Sequence, residues 1–244
     1  MRRFFVDQST INGDEAVLSA DESRHLTKVL RLAKGDSVVL FDGAGAVYDA
    51  AILETGDRAR VRILSRRYEE TATKPLVIAQ AILPGGKTDE LLQRYTELGV
   101  DAFVPLWTNR CQGKFDLVKE EKRQVRYQRV IEAACKQSGR ARPLHLARPQ
   151  RFADFLGDYS EERPGWRRLM FWEEEETTYL CDLSFSDVGA IVALIGPAGG
   201  WTPEEAAMAQ ARGFHTVRLA GHILRAETAG LAVAALCQFF LANI

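Results

Sequence analysis

Two short apolar runs, each closed by a glycine turn and followed by a helix, constrain this chain more than anything else in it. Ile191-Val192-Ala193-Leu194-Ile195 is continuous and rich in branched side chains, the pattern of a strand buried on both faces. It stops at Gly196-Pro197-Ala198-Gly199-Gly200-Trp201. Thr202 then offers an N-cap, Pro203 suits the first helical position and Glu205 completes a capping box, so a helix starts there and Gly213 ends it. A second strand over 214–219, the Ala220-Gly221 turn and a last helix opening with Arg225, Glu227 and Thr228 repeat the arrangement. Two glycine turns at the carboxyl ends of consecutive strands define a crevice where backbone amides and helix N-termini converge. The 191–228 stretch has neither the Gly-Lys-Ser/Thr of a P-loop nor a G-x-G-x-x-G, so neither familiar nucleotide motif accounts for its turns.

Upstream the rhythm changes once. Strands are expected at 3–6, 37–42, 46–54 and 58–65, with a short helix capped by Ser19 and Glu22 and running through Leu32. Residues 66–74 carry no hydrophobic period and mark a boundary, giving a β-rich domain over 1–70 and a second domain over 74–244. In the second, strands at 76–83, 100–106, 144–146 and 168–172 alternate with helices at 88–98 and 117–137. That alternation specifies an α/β domain with a mostly parallel sheet covered on both faces.

Charge narrows the partners. Residues 1–70 hold 11 basic and 12 acidic side chains, 71–150 hold 14 and 8, and 151–244 hold 7 and 13, so the middle is +6 and the last part −6 while the whole chain is −1. A polyanion would meet the middle third. Candidate contacts are Arg110, in the loop after the 100–106 strand, and Gln137 and Arg140, after the basic helix; all supply planar donors suited to phosphate or base edges. In the first domain Arg24, Lys28 and Arg31 fall at helical spacing, and Arg60 and Arg62 share one strand face with Arg58. That strand face reads either as a phosphate track or as a wet outer face balanced by acids. Glu173-Glu174-Glu175-Glu176 would repel RNA; it reads as a solvated loop, or as a strand-end loop holding a cationic cofactor.

Cys111, Cys135, Cys181 and Cys237 are far apart and the histidines have no ligand spacing, so neither a disulfide framework nor a metal site is expected. Met1-Arg2-Arg3 and the three apolar residues after it do not make a signal peptide, and the uncharged stretch over 228–244 is only 17 residues, short for a membrane span. A cytoplasmic protein with no membrane partner is the expectation.

Taken in order, Arg2-Arg3-Phe4-Phe5-Val6, His25-Leu26, Val29-Leu30-Arg31, Gly35-Asp36, Phe41-Asp42-Gly43, Glu97-Leu98-Gly99-Val100, Pro105, Arg110, Gln137-Ser138-Gly139-Arg140, Gly196-Pro197-x-Gly199-Gly200 and Leu224-Arg225-x-Glu227-Thr228-Ala229 resemble the ribosomal RNA small-subunit methyltransferase E family across nearly the whole chain. The resemblance implies an N-terminal PUA-like RNA-binding barrel and a C-terminal SPOUT domain with a trefoil knot, an exception to the rule against threaded loops. It implies that the loops around 196–201 and 220–225 hold S-adenosylmethionine at a homodimer interface, and that the reaction is methylation of N3 of one uridine of 16S rRNA within the small ribosomal subunit. Leu194, Ile195, Gly196, Gly199, Gly200, Leu219, Gly221, Ile223 and Leu224 are then expected around the cofactor. Arg225 is expected to stabilise charge on the uracil oxygens, and Glu227 to orient Arg225 or accept the N3 proton; the alternatives are RNA-phosphate binding for Arg225 and a helix-dipole role for Glu227. Two positions depart from the family pattern: Ala198 stands where Glu is usual, and Ala220-Gly221-His222 where Gly-x-Arg is usual. The competing functions are methylation of another RNA atom, such as a ribose 2′-oxygen or guanine N1, and an RNA-binding dimer whose catalysis has lapsed.

Overall fold

A computed structural model of the chain describes residues 2–69, 73–112, 116–158, 163–219 and 221–244. By its internal contacts the chain forms two compact units, Met1–Ala72 with Glu132–Pro143, and Thr73–Ile131 with Leu144–Ile244. The return of Glu132–Pro143 to the first unit differs from a division at a single point in the sequence. Cys135 and Ala141, both fully buried, show why: with buried Ala134 they give this segment an apolar side, and the Ala141 N–H donates to the Glu69 carboxylate at 2.9 Å.

The first unit is built on a six-stranded mixed sheet in the order β1 (Arg2–Phe5), β4 (Ser37–Phe41), β5 (Ala46–Glu54), β6 (Arg60–Tyr68), β3 (Glu15–Val17), β2 (Ile11–Asn12). Only β1 and β4 run parallel. Alternate residues Phe4, Val38, Leu40, Tyr48, Ile52 and Val61 line its core. β6 runs three residues beyond the expected strand end, because Arg66, Arg67 and Tyr68 still pair with Tyr48, Val47 and Ala46. The first helix is also altered. Ser19 caps α1 (Ala20–Arg24) as expected, but Glu22 turns away from the cap to an ion pair with Lys136, and the helix widens into a π turn over His25–Val29.

The second unit is an all-parallel sheet in the order β10 (Gln150–Arg151), β8 (Ala102–Trp107), β7 (Leu76–Ala81), β12 (Ala190–Ile195), β11 (Trp166–Phe171), β13 (His215–Val217), with β9 (His145–Leu146) also on β8. Its helices are α2 (Lys87–Glu97), α3 (Leu117–Ser138), whose last turns belong to the first unit, α4 (Phe152–Asp158), α5 (Pro203–Gln210) and α6 (Ala226–Phe240). β12 lies between β7 and β11, and all six of its residues are buried. That central place explains the unbroken apolar run: both faces are covered, and each large aliphatic side chain there contributes about 2 kcal/mol of burial. The chain leaves β13 at the sheet edge yet α6 packs on β7, β12 and α2. The intervening segment must therefore cross the carboxyl ends of β11 and β12, which brings it to the turn after β12.

Candidate active site

The turn at 196–201 is fixed from three directions. Thr202 caps α5, accepting from the Glu205 N–H at 3.2 Å while Glu205 Oε2 accepts from the Thr202 N–H at 2.9 Å, with Pro203 at the first position as the sequence specifies. The other Glu205 oxygen accepts from the Asn109 N–H at 2.9 Å, so one buried carboxylate joins the loop after β8 to the start of α5. Trp201 is 0% exposed and its indole N–H donates to the Phe171 carbonyl at 3.0 Å. Gly196 suits that seat, since a Cβ there would lie 3.0 Å from Trp201 Nε1, closer than ordinary contact.

Arg110, expected as a substrate contact, donates from Nη1 to the carbonyls of Gly199 at 2.8 Å and Trp201 at 3.1 Å. It is the third brace on the turn. Gly199 faces this brace and is not in the cavity wall described next. Leu194 is off the wall too: side chains alternate along β12, so Leu194 enters the core with Met170 and Trp201 while Ile195, at the strand end, reaches the opening.

Between the 196–201 turn and the segment after β13 lies a cavity of about 350 Å³. Of the residues expected around a cofactor, Ile195, Gly196, Gly200, Leu219, Gly221, Ile223 and Leu224 line it; Ala220 lies outside the described residues. Arg225 and Glu227 line it as well. The sequence did not point to Lys87 or Trp172, which also face it, and left the acidic loop of Glu173 open between solvent and a ligand.

Lys87 and Glu227 form the site's ion pair, Nζ to Oε1 at 2.8 Å. Lys87 opens α2, where a cation is unfavourable at the positive end of the helix dipole, and Glu227 in the first turn of α6 is favourable. Their contact offsets the cost on Lys87. The hydrogen bond from Lys87 holds the Glu227 carboxyl below the usual carboxylate range, with the peptide N–H of Glu227 and the charge of Arg225 adding to the effect. Glu227 is thus bonded to Lys87, where a hydrogen bond to Arg225 was one of the expected arrangements. Behind α6, Gln80 donates to the Ala226 carbonyl at 3.2 Å and accepts from Tyr95 Oη at 2.5 Å, fixing where the helix begins.

The remaining candidate contacts lie in the first unit. Arg24, Lys28 and Arg31 are exposed and make no ion pair with a described residue. Arg60 pairs with Glu15 at 2.6 Å and with Glu54 at 3.6 Å, and Arg62 with Asp14 at 3.9 Å and Glu15 at 3.8 Å. The β6 arginine face is the acid-balanced one of its two readings, because β3 lies beside it and presents Glu15. Gln137 is exposed and Arg140 half-buried in the segment that returns to the first unit. Among the described residues no group of three or more His, Cys, Asp or Glu is placed to hold a metal, and no helix is long and apolar enough to cross a membrane.

Comparison with known proteins follows the same division. The RNA methyltransferase domain family matches residues 69–238 and the RNA methyltransferase PUA domain family residues 18–64. The ribosomal RNA small subunit methyltransferase E of Synechocystis is 34% identical over 216 residues, 87% of this chain and 69% of that one. The crystal structure of the Neisseria gonorrhoeae ribosomal RNA small subunit methyltransferase E bound to S-adenosyl methionine superposes with a TM-score of 0.86 at 31% identity, over 98% of this chain and 97% of that one. The chain belongs to this methyltransferase E family. A Legionella pneumophila methyltransferase with bound SAM has the same fold, with a TM-score of 0.88 at 27% identity over 98% of this chain and 97% of that one. The family's two-domain architecture, a PUA-like mixed sheet followed by a parallel sheet with helices, is the one seen here. Lys87 and Glu173 could not have been found by periodicity, since each reaches the cavity from an element distant in sequence. The one available signal for Glu173 was its position directly after a strand end.

Proposed function

We propose that this protein transfers the methyl group of S-adenosylmethionine to N3 of a specific uridine in 16S rRNA of the small ribosomal subunit. The observation that carries the proposal is the single cavity closed by the bends after β12 and β13, with Arg225 and Glu227 in its wall. The family relation and the S-adenosyl methionine bound to the Neisseria relative support it.

The residues present fit that cofactor. A volume of about 350 Å³ is within the range of small-molecule sites, roughly 300–1,000 Å³. Ile223 is 78% and Leu224 38% exposed, apolar surface at a cavity mouth that a flat base would cover. Ile195, Leu219 and Leu224 would hold the adenine, and the bare peptide groups of Gly196 and Gly221 would allow close approach of the nucleoside. When bound, S-adenosylmethionine supplies an electrophilic methyl on a good leaving group, leaving the protein to align, desolvate and stabilise charge.

The uracil end is harder, because N3 carries a proton between two carbonyls. Arg225, exposed at the N-cap of α6, presents a permanent positive charge to those oxygens as negative charge develops. Glu227, kept ionised by Lys87, is a weak proton acceptor near neutrality; its part is to hold the Lys87 ammonium and steady the electrostatics beside Arg225. The N3 proton then leaves to solvent, with Arg225 lowering the cost of ionisation.

The test is to incubate purified protein with methyl-labelled cofactor and unmodified small subunits, alongside naked 16S rRNA, and to identify the product by nucleoside analysis. 3-Methyluridine from the subunits is expected; label on a ribose oxygen or a guanine would replace the proposal by a different RNA methylation, and no label at all by an RNA-binding role. Arg225→Ala should slow single-turnover methylation about 100-fold, the loss typical of one charge-stabilising donor. We infer further that the protein works as a homodimer in the cytoplasm, consistent with exposed Phe239 and Ile244 near the end of α6; sedimentation at two protein concentrations checks the assembly.

A further inference from the structure

The loop after β11 divides its four acids between different tasks. Glu175 secures the loop itself: Oε1 accepts from the Thr177 N–H at 3.0 Å, the Thr177 hydroxyl at 2.7 Å and the Thr178 N–H at 3.2 Å, and Oε2 accepts from the Thr216 hydroxyl at 2.6 Å. On the other side the Trp172 N–H donates to the Val217 carbonyl at 3.0 Å. The peptide of Glu173 is held between these anchors, and its side chain is directed into the cavity wall. Its carboxylate sits against the α-carbon of Gly200, where any Cβ would overlap it. The 196–201 turn thus leaves room for this acid, while neighbouring Ala198 brings only a methyl group to the same wall.

Charge accounting singles Glu173 out. The cavity holds two carboxylates, Glu173 and Glu227, and the basic side chains Lys87, Arg218, His222 and Arg225. Lys87 is taken up by Glu227. Among the described residues no cation lies within ion-pair distance of Glu173. A carboxylate in the wall of a ligand cavity, exposed and with no counter-ion among the described residues, favours a positively charged group on the ligand.

We propose that Glu173 is a specificity-determining residue that favours the sulfonium form of the adenosyl ligand over the neutral thioether left after transfer. The inference rests on the proposed function and deepens it: the carboxylate raises affinity for the donor and helps the spent product leave. Methyl transfer removes one positive charge from the sulfur, so an electrostatic partner that attracts the donor attracts the product less. No covalent role is required of it.

The experiment is calorimetric titration of the full chain with S-adenosylmethionine and, separately, with S-adenosylhomocysteine, for wild type, Glu173→Gln and Glu174→Gln. Glu173→Gln keeps the shape and removes the charge. Donor affinity should fall about fivefold, the size of one partly solvated charge contact, while product affinity holds. Unchanged product binding also certifies that the variant is folded. Glu174→Gln, at an exposed residue that does not line the cavity, should alter neither. Equal losses for both ligands in Glu173→Gln would mean that the carboxylate meets a part they share, and no loss would mean that it is idle; each overturns this inference alone. A wild-type protein that binds neither ligand overturns the proposed function and this inference with it.

Discussion

The two bends that close the cavity are built in opposite ways. The turn at 196–201 is braced by Arg110 on two carbonyls, by the indole of Trp201 on Phe171, by Glu205 on two N–H groups, and by its own Gly200 N–H to the Pro197 carbonyl at 3.0 Å. Across the cavity, residues 221–224 make no hydrogen bond among the described residues, Gly221 adopts φ +95°, and Ile223 and Leu224 stand out to solvent. One wall is finished by folding. The other has little to hold it until a ligand covers its apolar side chains, so folding stability and ligand affinity should be separable by mutating one wall or the other.

The largest effect tests that separation directly. Trp201→Ala removes a fully buried indole and its hydrogen bond, and should cost about 3–5 kcal/mol in a denaturant titration. Ile223→Ala should shift the same midpoint by less than about 0.5 kcal/mol, yet weaken binding of the adenosyl ligand. Comparable destabilisation by both would break the contrast. Next in size, Glu205→Ala leaves the N–H groups of Asn109 and Thr202 without their acceptor and should cost about 2 kcal/mol. Gly221→Ala should cost about 1 kcal/mol of backbone strain, since a Cβ there meets nothing within 4 Å and only the left-handed φ opposes it. Hydrogen exchange with and without S-adenosylmethionine sharpens the comparison further: protection should rise more over 221–225 than over 196–201.

Much of the braced wall was legible because its signals are local. Thr202, Pro203 and Glu205 state a helix start within four residues, and the run from Ile191 states a buried strand with no need of a partner. The rest depends on distance along the chain. Lys87 meets Glu227 across 140 residues, and nothing in either neighbourhood announces the other. Arg110 has the composition of an RNA contact, but its acceptors belong to a turn 89 and 91 residues away. The arginines of β6 showed their common face plainly; that the face was neutral depended on a three-residue strand carrying Glu15, too short to declare itself. Leu194 and Ile195 are equivalent by composition and differ only in which side of the sheet each meets, which the order of strands decides.

A smaller effect is expected from the third bend, after β11, through Glu175, which does not itself line the cavity. Hydrogen bonds from Thr216 first, then from Thr177 and Thr178, lower the Glu175 carboxyl from an ordinary 4.5 to about 2. A carboxyl more acidic in the folded chain than in the unfolded one adds stability that is complete above about 4.5 and drains away as pH falls towards 2. Wild-type protein should therefore lose stability across that window more steeply than Glu175→Gln, whose acid limb should be flatter although its stability at neutral pH is lower. Thr216→Val should fall between the two, because it removes the largest of the stabilising bonds and leaves the loop's own Thr177 and Thr178 contacts in place. If the acid limbs of all three coincide, Glu175 does not anchor the loop, and the seat of Glu173 against Gly200 loses one of its two supports.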